Sequence, residues 1–570
     1  MAATATRKWA TRAGVAAAVF GMPAAAFCAA DHKGYPKYPR GHVRRPDLPT
    51  YTIEEVKKHI DAETQVWCTY KGGVYDATSF LMGHPGGTGR LLMAGGNDLA
   101  IFWDVYRQHY QKHVLDFLET YRIGNVTPED ALKQETEFVF NNPFVDDPVR
   151  PDPDLLHTTE YPFNGEPLLK RLHENFYTPN DLHYVRLHMP VPDIEADDWE
   201  VEVSGLGLPG PKIYKLKELQ TKFQQRSLSC TLQCAGNRRE DFQDHGGHFI
   251  FIAPQWRVAA ISNASYTGVY LRDVLKDAGL DVDALTFTDK PHPTIKHVHF
   301  EGSDVTEDGV KYGVSIPIEK AVNPVGDTMI VWEMNGKPLP RDHGGPVRTL
   351  VPGHVGNKSC KFLEYIKICT GESMRPWHLK SYRNFPPDFS FEEHLSKWDK
   401  LTDEQLAKGP ICQLMPVQSL ITYPPPQSVI GGRDADSVKV KGISWSGNGV
   451  GMARVDVSLD GGQHFTAADF LPKPPEVVER EMWGRRWSWY QFEKDIKLPN
   501  ELQDKLQRGE KIELELVSKG VDNGFNVQPE SVDPYYNPRG CVVNSWYRVP
   551  VTMDPKEKAN TLVSEVKGQD

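Results

Sequence analysis

The sequence predicts an α+β protein of several domains that ends in a β-sandwich, and three observations carry this prediction. The chain has 570 residues, which corresponds to about three or four folded units at roughly 150 residues per domain. Apolar residues make up 39% of it and charged residues 25%, a composition that excludes disordered chains and membrane proteins with several spans. An acidic, Pro-rich stretch at 127–154, read as a flexible linker, separates residues 48–126 from a mixed region at 155–398 and a strand-rich region at 399–555.

The charge and the cysteine count restrict the partners. A net charge of −11 at pH 7 disfavours nucleic acid and suits a basic protein. A small anionic substrate would need basic residues concentrated at its own site. The eight cysteines form no disulfide framework and no CxxC zinc pattern, so each is judged by what it could coordinate or attack.

Residues 1–30 are predicted to be a mitochondrial targeting segment, with the intermembrane space as the expected compartment. They contain Arg7, Lys8 and Arg12, are rich in Ala and Thr, and have no acidic residue before Asp31. An apolar stretch follows the basic residues, and this order also fits a secretory signal, which is the alternative. No other stretch approaches the roughly 20 apolar residues of a spanning helix, so we expect a soluble mature protein.

Residues 48–126 are predicted to form a haem domain. His84 opens a His-Pro-Gly-Gly turn, and His109 lies in the helical stretch Phe102–Tyr121. A low-spin haem needs two neutral imidazoles on opposite faces of the iron. The Pro and Gly residues can fix the ring of His84, and His109 is far enough along the chain to come from the facing wall.

This region resembles cytochrome b5 domains, in which the His of a His-Pro-Gly-Gly motif is the first axial ligand. The match covers about residues 50–124 and includes Gly73-Val74-Tyr75-Asp76 and Tyr121-Arg122-Ile123-Gly124. It implies haem b with His84 and His109 as axial ligands. The residues implied at the haem edge are Gln111 and His113.

The most informative part of residues 155–398 is the run Thr231–Arg239, which reads TLQCAGNRR. A thiol beside two arginines is predicted to have a lowered pKa, and a thiolate is a soft metal ligand or a nucleophile. The planar guanidinium groups of Arg238 and Arg239 suit oxyanions. On spacing alone, an inert Cys234 beside a surface arginine pair is the more frequent arrangement, so agreement with other segments decides.

The run resembles the molybdenum-binding motif of the sulfite oxidase family, which includes assimilatory nitrate reductases. Further blocks match the family in the expected order between residues 140 and 550: Val185–Pro192, His297–Asp304, Tyr312–Pro317, Glu333–Gly336, Pro340–Gly344, Pro346–Arg348, Asp522–Pro529 and Asn537–Gly540. With the haem domain ahead of them, the whole chain is similar to the animal-type members of the family.

The resemblance implies Mo-molybdopterin as the second cofactor, with Cys234 as the single protein ligand to molybdenum. A phosphate favours Arg and Lys, and a pterin edge favours His, Asp and backbone groups. The implied contacts to the pterin and its phosphate are Tyr184, Val185, Arg186, Leu187, His188, Asp304, His343, Arg348, Ser359, Cys360 and Lys361.

Two departures from the family pattern bear on these contacts. Leu187 stands where the family usually has Asn, and Ser359-Cys360-Lys361 stands where it usually has His-Val-Lys. Contacts through the main chain or through Lys361 would survive, whereas contacts through an Asn or His side chain would not. The chain also carries an insertion, Asp244–His248, to which the sequence assigns no role.

For the substrate, the resemblance implies sulfite, oxidised to sulfate in a two-electron oxygen transfer at molybdenum. A small oxyanion needs donors that do not titrate, which favours Arg over Lys. The implied substrate residues are Arg186, Arg239, Trp256, Tyr382 and Arg539. Electrons would then pass one at a time through the haem to cytochrome c, a basic protein.

Residues 399–555 are predicted to form an immunoglobulin-like β-sandwich. Val455, Val457 and Leu459 alternate with polar residues before an Asp-Gly-Gly turn, and the run Ile512–Leu516 alternates in the same way. The resemblance implies a dimerisation domain and a homodimer, with Arg539 reaching the active site.

Other functions stay open as alternatives. A nitrate reductase would place the molybdenum domain before the haem domain, and here the haem domain comes first. A haem carrier fused to an inactive domain is disfavoured by the intact Cys234, Arg239 and Arg539. Oxidation of another sulfur- or nitrogen-containing oxyanion is the third alternative.

Overall fold

The described chain forms two compact units. The computed structural model describes residues 44–564 apart from 62, 85–87, 106–108, 110–111, 134–143, 145, 151, 160, 246–255, 287, 307–308, 385–401, 403, 406–407, 483, 538 and 559–561. The first unit contains the residues up to Leu81, Leu91–Trp103 and Arg107–Glu135, and the second contains Met82–Arg90, Asp104–Tyr106 and the residues from Thr136 onward. Among the described residues, no helix combines the length and the apolar run needed to cross a bilayer.

A mixed sheet organises the first unit. Its strands are β1 (Thr50–Tyr51), β2 (Ile60–Asp61), β3 (Gln65–Tyr70), β4 (Gly73–Asp76) and β5 (Arg122–Val126). Within the described residues their order is β1-β5-β4-β3-β2, with β1 parallel to β5 and the other neighbours antiparallel. The helices in this part of the chain are α1 (Ile53–Val56), α2 (Thr88–Met93), α3 (Leu99–Val105) and α4 (Lys112–Glu119), and a 3₁₀ turn spans Thr78–Gly83.

The hairpin of β3 and β4 illustrates how local sequence sets this sheet. Lys71 (φ 43°) and Gly72 (φ 78°) connect the strands with both residues in the left-handed region, a turn whose twist matches an antiparallel pair. Val66 and Tyr70 of β3 are buried, and the Tyr70 ring lies 4.7 Å from the Trp103 ring between centroids. The sheet therefore buries an aromatic face against α3.

Three sheets build the part of the second unit from Leu155 to Cys369, called here the central region. The strands are β6 (Leu155–Thr159), β7 (Asn164–Pro167), β8 (Val185–Arg186), β9 (Glu200–Gly205), β10 (Lys212–Lys215), β11 (Arg226–Gln233), β12 (Ile261–Tyr270), β13 (His297–Val305), β14 (Lys311–Pro317), β15 (Met329–Met334), β16 (Lys337–Pro338), β17 (Arg348–Leu350) and β18 (Leu363–Cys369). In the described residues the sheet orders are β6-β7-β8, β10-β9-β18-β13-β14 and β11-β12-β15-β16, with β17 also paired to β15.

Short helices and turns connect these strands. The helices are α5 (Leu216–Lys222), α6 (Leu271–Asp277) and α7 (Ile318–Val322). Single turns span Leu169–His173, Arg239–His245, Arg341–His343, Gly356–Lys358 and Trp377–Ser381. Because the sheets are short and connected by tight turns, side chains from many elements meet in one pocket.

The C-terminal part of the second unit consists of two packed sheets. Its strands are β19 (Gln418–Tyr423), β20 (Ser428–Gly431), β21 (Ser437–Trp445), β22 (Met452–Ser458), β23 (Thr466–Ala467), β24 (Asp469–Phe470), β25 (Tyr490–Lys497), β26 (Ile512–Asp522), β27 (Tyr547–Asp554) and β28 (Leu562–Ser564). Helices α8 (Pro475–Met482) and α9 (Asn500–Gln507) and a turn at Asp533–Tyr535 lie between strands in the sequence. In the described residues the orders are β19-β21-β25-β24 and β23-β22-β26-β27-β20-β28.

The core of this sandwich follows the alternation seen in the sequence. Val455 and Val457 of β22 and Leu516 of β26 are buried, and they share one apolar cluster with Val438 and Val440 of β21 in the other sheet. Side chains from the inner faces of two sheets thus interdigitate. The predicted C-terminal β-sandwich is confirmed.

The sandwich and the central region belong to one unit, and side-chain hydrogen bonds and ion pairs join them. Trp445 Nε1 donates to Gln233 Oε1 at 2.8 Å, one residue before Cys234. Arg480 of α8 forms an ion pair with Asp327 at 2.6 Å. The first contact is buried and joins the end of β11 to the sandwich, and the second joins α8 to the segment before β15.

The predicted linker, 127–154, is attached at both ends. At its start, Asp130 accepts a hydrogen bond from the Ile53 amide at 3.1 Å, within the first unit. At its end, Asp147 accepts from the Val191 amide at 2.7 Å, within the second unit. The linker and the other domain boundaries stay predictions.

Candidate active site

A pocket in the second unit is lined by residues that lie between positions 183 and 382 of the chain. It is lined by His183, Tyr184, Arg186, Leu187, His188, Leu232, Cys234, Asp304, Tyr312, His343, Arg348, Gly356, Asn357, Ser359, Lys361, Phe362 and Tyr382. These residues come from the β8 segment, the loop after β11, the ends of β13 and β17, and three single turns. Most of the predicted cofactor residues are therefore in one place.

Cys234 is held at the bottom of a tight turn directly after β11. Its amide donates to the Ala260 carbonyl at 2.9 Å, and its carbonyl accepts from the Asn237 amide at 3.0 Å. A Cβ at Gly236 would lie 2.4 Å from Arg239 Nη2, so only glycine lets Arg239 fold back over this turn. The turn thus places the thiol and the guanidinium group on the same side.

The predicted lowering of the Cys234 pKa is wrong. Cys234 is 7% exposed, and burial raises the pKa of its thiol, while Arg186 and Arg239 oppose that effect. Burial disfavours the charged form of any acid, and here that cost exceeds the attraction of two cations. The sequence shows which cations are adjacent but not how deeply the thiol is buried.

Only one of the two arginines in the motif faces the thiol. Arg238 has a left-handed backbone (φ 62°) and forms an ion pair with Asp241 at 2.6 Å. It also donates to the Ser545 carbonyl at 2.7 Å and stacks over the Tyr547 ring at 5.1 Å. Arg238 therefore attaches the turn to the C-terminal segment, whereas Arg239 contacts the Arg539 backbone.

Two of the three predicted substrate arginines, Arg239 and Arg539, contact each other although they are far apart in the chain. Arg239 Nε donates to the Arg539 carbonyl at 3.3 Å, and Arg539 Nε donates to the Ser381 carbonyl at 3.2 Å. Arg186 Nη1 donates to Asn164 Oδ1 at 3.1 Å. Arg239 and Arg539 thus contact each other, whereas of the three predicted arginines Arg186 is the one that lines the pocket in the described part of the chain.

Of the two other predicted substrate residues, Tyr382 lines the pocket, whereas Trp256 is not among the residues that line it in the described part of the chain. The Tyr382 hydroxyl lies 3.0 Å from His188 Nε2, and burial raises the pKa of Tyr382 to about 12, so it stays a donor at neutral pH. Trp256 is fully buried, with its ring 6.5 Å from the Tyr184 ring between centroids. Trp256 Nε1 has no hydrogen-bond partner within the described residues.

The loop that carries Trp256 is held by a buried carboxylate. Glu166 of β7 accepts from the Arg257 amide at 2.9 Å and from the Ala259 amide at 2.8 Å. Burial raises the pKa of Glu166 to about 7. Glu166 therefore fixes the start of β12 next to the indole, a role that the sequence did not indicate.

The pocket is also lined by two basic residues and one carboxylate, Arg348, Lys361 and Asp304. Arg348 is buried and Lys361 is half-buried, and desolvation together with Arg348 lowers the pKa of Lys361 to about 7. His183 and His343 are buried and His188 is half-buried, and desolvation lowers the pKa of each well below its usual range, so these rings are neutral at pH 7. Such a cluster is unfavourable unless an anion joins it.

Two groups in the pocket lack partners of their own. Asp304 Oδ1 and both amide atoms of Asn357 are buried without a hydrogen-bond partner in the described part of the chain. Burial raises the pKa of Asp304 to about 7. Buried polar atoms are normally paired. The residues therefore fit a bound group that combines a phosphate with a polar ring edge.

Two predicted contact residues do not line the pocket. Val185 is buried in an apolar cluster with Leu155 and Phe163, and Cys360 is buried in the core beside Val347. Both alternate along the chain with residues that do line it, so their side chains point away. A contact from either would have to use the main chain.

The two departures from the family pattern also have local explanations. The Leu187 amide donates to Asn164 Oδ1 at 2.9 Å, so its backbone is fixed by a neighbouring amide side chain. The Ser359 hydroxyl accepts from the Val351 amide at 3.0 Å. That hydroxyl shapes the turn, and Lys361 is the residue of the Ser359–Lys361 run whose cation lies in the pocket.

Several lining residues were not predicted. His183 lies beside a predicted motif, Tyr312 is the first residue of the matched block Tyr312–Pro317, and Asn357 sits in the turn before Ser359. Leu232, Gly356 and Phe362 complete the set. Proximity to a motif was the one signal available for them.

The haem prediction falls partly outside the described residues. His84 directly follows the turn Thr78–Gly83 and is half-buried, and the His109 ring stacks 5.3 Å from Trp103 between centroids. Gln111 lies outside the described residues, as does the side chain of His113. The haem ligands stay predictions.

In the insertion, Asp244 and His245 end the turn that begins at Arg239, and residues 246–248 lie outside the described residues.

Comparison with known proteins identifies three domains. The cytochrome b5-like heme/steroid binding domain matches residues 52–127, the oxidoreductase molybdopterin binding domain matches 188–377, and the Mo-co oxidoreductase dimerisation domain matches 410–554. These matches confirm the predicted fold class.

The relatives span most of the chain. It is 37% identical over 506 residues to the mitochondrial sulfite oxidase of Homo sapiens, covering 89% of this chain and 85% of that protein. It is 37% identical over 511 residues to the sulfite oxidase of Gallus gallus, covering 88% and 100%. The sulfane dehydrogenase SoxCD from Paracoccus pantotrophus has a similar fold, with a TM-score of 0.52, 23% identity, and 71% of this chain and 87% of that chain covered.

Proposed function

The chain belongs to the sulfite oxidase family, and from this premise we propose that it oxidises sulfite to sulfate with cytochrome c as the final electron acceptor. Its molybdopterin-binding and cytochrome b5-like domains assign Mo-molybdopterin and haem b as the cofactors. When bound, these cofactors supply the oxygen-atom transfer and carry the two electrons away singly. The protein supplies position, charge and exclusion of water.

Each end of the pocket suits one part of the molybdenum cofactor. Cys234 is the proposed ligand to the metal. Arg348, Lys361 and His343 would hold the phosphate, since Arg and Lys form charge-assisted hydrogen bonds with it. Asp304 and Asn357, whose buried polar atoms are unpartnered among the described residues, would bind the ring edge.

The substrate residues are proposed to act as fixed donors. Arg186, Arg239 and Arg539 carry charges that do not titrate, so the oxyanion is held at any physiological pH. Tyr382 stays protonated and can donate to an oxygen atom near Cys234. Donors fixed before the reaction stabilise the charge that develops in it. This local cluster explains how a chain of net charge −11 binds an anion.

The observation that supports the proposal is the pocket that Cys234 lines together with Arg186, Arg348 and Lys361. The experiment is anaerobic mixing of the purified holoenzyme with sulfite while the absorption of the haem is followed. Reduction of the haem by sulfite, and not by nitrite or buffer, is expected. An unchanged haem spectrum at full molybdenum occupancy would favour another sulfur- or nitrogen-containing oxyanion instead.

The partners and the compartment follow from the same family. The dimerisation domain indicates a homodimer, and the acidic chain suits a basic acceptor such as cytochrome c. Relatives named as mitochondrial indicate a mitochondrial protein, and we propose the intermembrane space as its compartment. Stopped-flow reduction of cytochrome c by the sulfite-reduced enzyme, with strong dependence on ionic strength, is the expected result.

A further inference from the structure

Two basic side chains that do not line the pocket are fully buried, close in the chain to residues that do line it. Lys358 and His378 are each 0% exposed, and Lys358 Nζ lies 3.1 Å from His378 Nδ1. A lysine is rarely buried completely, and an apolar side chain would fill the same space at a lower cost in free energy. The contact between the amine and the imidazole therefore requires an explanation besides packing.

The imidazole of His378 is held at both of its nitrogen atoms. Burial, and next the Lys358 amine, lower the pKa of His378 well below its usual range, so the ring is neutral. The Ser315 amide donates to Nδ1 at 3.2 Å, and because an amide N–H can only donate, the proton of the neutral ring is on Nε2. Nε2 lies 3.3 Å from the Ser315 hydroxyl oxygen, which accepts from the Ser373 amide at 2.9 Å. Strand β14 thus fixes the ring, and Lys358 is a second donor to Nδ1.

Arg383 holds the same segment on the other side of Tyr382. Its Nη2 donates to Glu372 Oε2 at 2.7 Å, and that oxygen lies 3.8 Å from His378 Nε2. Its Nε donates to the Leu379 carbonyl at 3.1 Å. His378 and Arg383 therefore fix the backbone both before and after Tyr382.

The segment held in this way places the Tyr382 hydroxyl. Tyr382 directly follows the π-type turn Trp377–Ser381, lines the pocket, and has its hydroxyl 3.0 Å from His188 Nε2. A π-type turn is wider than an α-helical turn and occurs frequently at functional sites. The position of the hydroxyl thus depends on the contacts that hold this turn.

Lys358 connects that turn to the turn proposed to bind the cofactor. It ends a single 3₁₀ turn, and its neighbours in the chain, Asn357 and Ser359, both line the pocket. The hydrogen bond from Lys358 to His378 therefore joins the backbone beside the proposed pterin edge to the backbone that carries Tyr382.

We propose that Lys358 and His378 are positioning residues for the oxidation reaction, and that the hydrogen bond between them fixes the Tyr382 hydroxyl relative to the bound cofactor. This role rests on the proposed function, because Tyr382 is the donor through which both residues act. Lys358 sets the distance between two turns, and His378 sets the position of the second turn. A donor that is fixed before the reaction stabilises the developing charge without first having to reorganise.

The chemistry of this pair suits a permanent contact. Burial lowers the pKa of Lys358 to about 7, so its charge changes near neutral pH. An amine donates a hydrogen bond in both its charged and its neutral form, and His378 Nδ1 accepts from either. The bond between the two turns is therefore kept in both states.

The first experiment compares kcat/KM for sulfite in the unmodified holoenzyme and in Lys358→Met, at equal molybdenum and haem content. A fall of about tenfold or more is expected, because misplacing a reacting group by about 1 Å can cost about a hundredfold. The matched control is Lys473→Met, since the side chain of Lys473 is 7% exposed and its Nζ donates to Glu481 Oε1 at 2.8 Å in the C-terminal part. Lys473→Met should be less stable in a urea titration and should keep its kcat/KM. Equal kinetic losses in the two variants would overturn the proposal.

Coupling to Tyr382 separates positioning from a purely structural role. When Tyr382→Phe has already removed the hydroxyl, adding Lys358→Met should change kcat/KM by less than about twofold, because interacting residues are not additive. If the losses of the two single variants multiply in the double variant, Lys358 does not act through Tyr382.

Two substitutions of His378 provide a rescue test and do not depend on the folding of Lys358→Met. A Gln amide has an oxygen that accepts and a nitrogen that donates, so His378→Gln can replace both ring nitrogens and should keep most of its kcat/KM. His378→Leu can replace neither and should lose about tenfold or more. Similar values for the two variants would contradict a positioning role.

A crystal structure of Lys358→Met tests the inference without any substrate. The 3.0 Å contact between the Tyr382 hydroxyl and His188 Nε2 is expected to be lost. An unchanged contact would overturn the positioning role even if sulfite is the substrate. Failure of sulfite to reduce the haem of the unmodified enzyme would instead count against the proposed function, so the two failures are distinguishable.

Discussion

At the scale of single residues, the adjacent Arg238 and Arg239 have different tasks because the backbone turns between them. Arg238 pairs with Asp241 and reaches the C-terminal segment, while Arg239 folds back over Gly236 toward Cys234. The left-handed conformation at Arg238 separates the two side chains. Arg238 thus stabilises the loop, and Arg239 is the proposed substrate residue.

Replacing each arginine should separate these tasks. Arg239→Met is expected to lower kcat/KM for sulfite by about 100- to 1000-fold, because it removes one fixed donor to the developing charge. Steady-state kinetics with sulfite and a urea titration measure the two properties.

The matched control is Arg238→Met. It should lower the free energy of unfolding by about 1–3 kcal/mol, because Asp241 and the Ser545 carbonyl lose a buried donor. Its kcat/KM should change much less than that of Arg239→Met. Equal kinetic losses in both variants would contradict this division of tasks.

Substitution of Cys234 should affect one cofactor and spare the other. Cys234→Ser is expected to abolish turnover that depends on molybdenum, because a hydroxyl is a poor substitute for a soft thiolate ligand. The haem absorption spectrum should stay unchanged, since the haem belongs to another domain. Normal sulfite turnover by this variant would refute the ligand assignment.

At the scale of elements, β7 fixes the loop that follows Trp256. Glu166 accepts two backbone hydrogen bonds from the loop that leads from Trp256 into β12. The carboxylate is fully buried and its pKa is raised to about 7 by that burial. The position of the indole is therefore coupled to the protonation of a residue that does not touch the substrate.

This coupling predicts a specific dependence of stability on pH. Because the pKa of Glu166 rises from 4.5 to about 7 on folding, its contribution is complete below pH 4.5 and is lost as the pH rises through 7. A shift of this size corresponds to about 3 kcal/mol of unfolding free energy. Glu166→Gln, which does not titrate, should lose this slope, and Glu166→Asp should keep it. Urea titrations between pH 4.5 and 8 measure it, and parallel curves for all three proteins would contradict the prediction.

The elements differ in how far the sequence specifies them. Val455 and Val457 alternate with polar neighbours, so local periodicity alone predicted the sandwich, and the Cys234 motif predicted the centre of the pocket. Asn357 and Glu166 were not predicted because their roles arise from contacts between elements far apart in the chain. The raised pKa of Cys234 was missed for the same reason: burial depends on tertiary packing, which short motifs do not encode.

At the scale of the whole molecule, the two cofactors belong to separate domains that must exchange electrons. The haem domain match ends at residue 127, and the molybdopterin domain match begins at residue 188. Reduction of molybdenum by sulfite and onward electron transfer from the haem are therefore separable steps.

Replacing His84, a predicted axial ligand of the haem, should affect the second of these steps and leave the first intact. His84→Ala is expected to remove the low-spin haem spectrum and to lower cytochrome c reduction by at least about 100-fold, because a bis-imidazole haem requires both rings. Single-turnover reduction of molybdenum by sulfite, followed by electron paramagnetic resonance, should survive. Cytochrome c reduction at the normal rate in this variant would contradict the assigned route.

The hydrogen bond from Trp445 to Gln233 limits how this gene could recombine with those of its relatives. A crossover between the catalytic region and the sandwich would pair an indole from one parent with an amide from the other, next to the metal ligand. It would also separate Arg539 from the Arg239 that rests on it. We therefore expect the gene segments for these two regions to be inherited together.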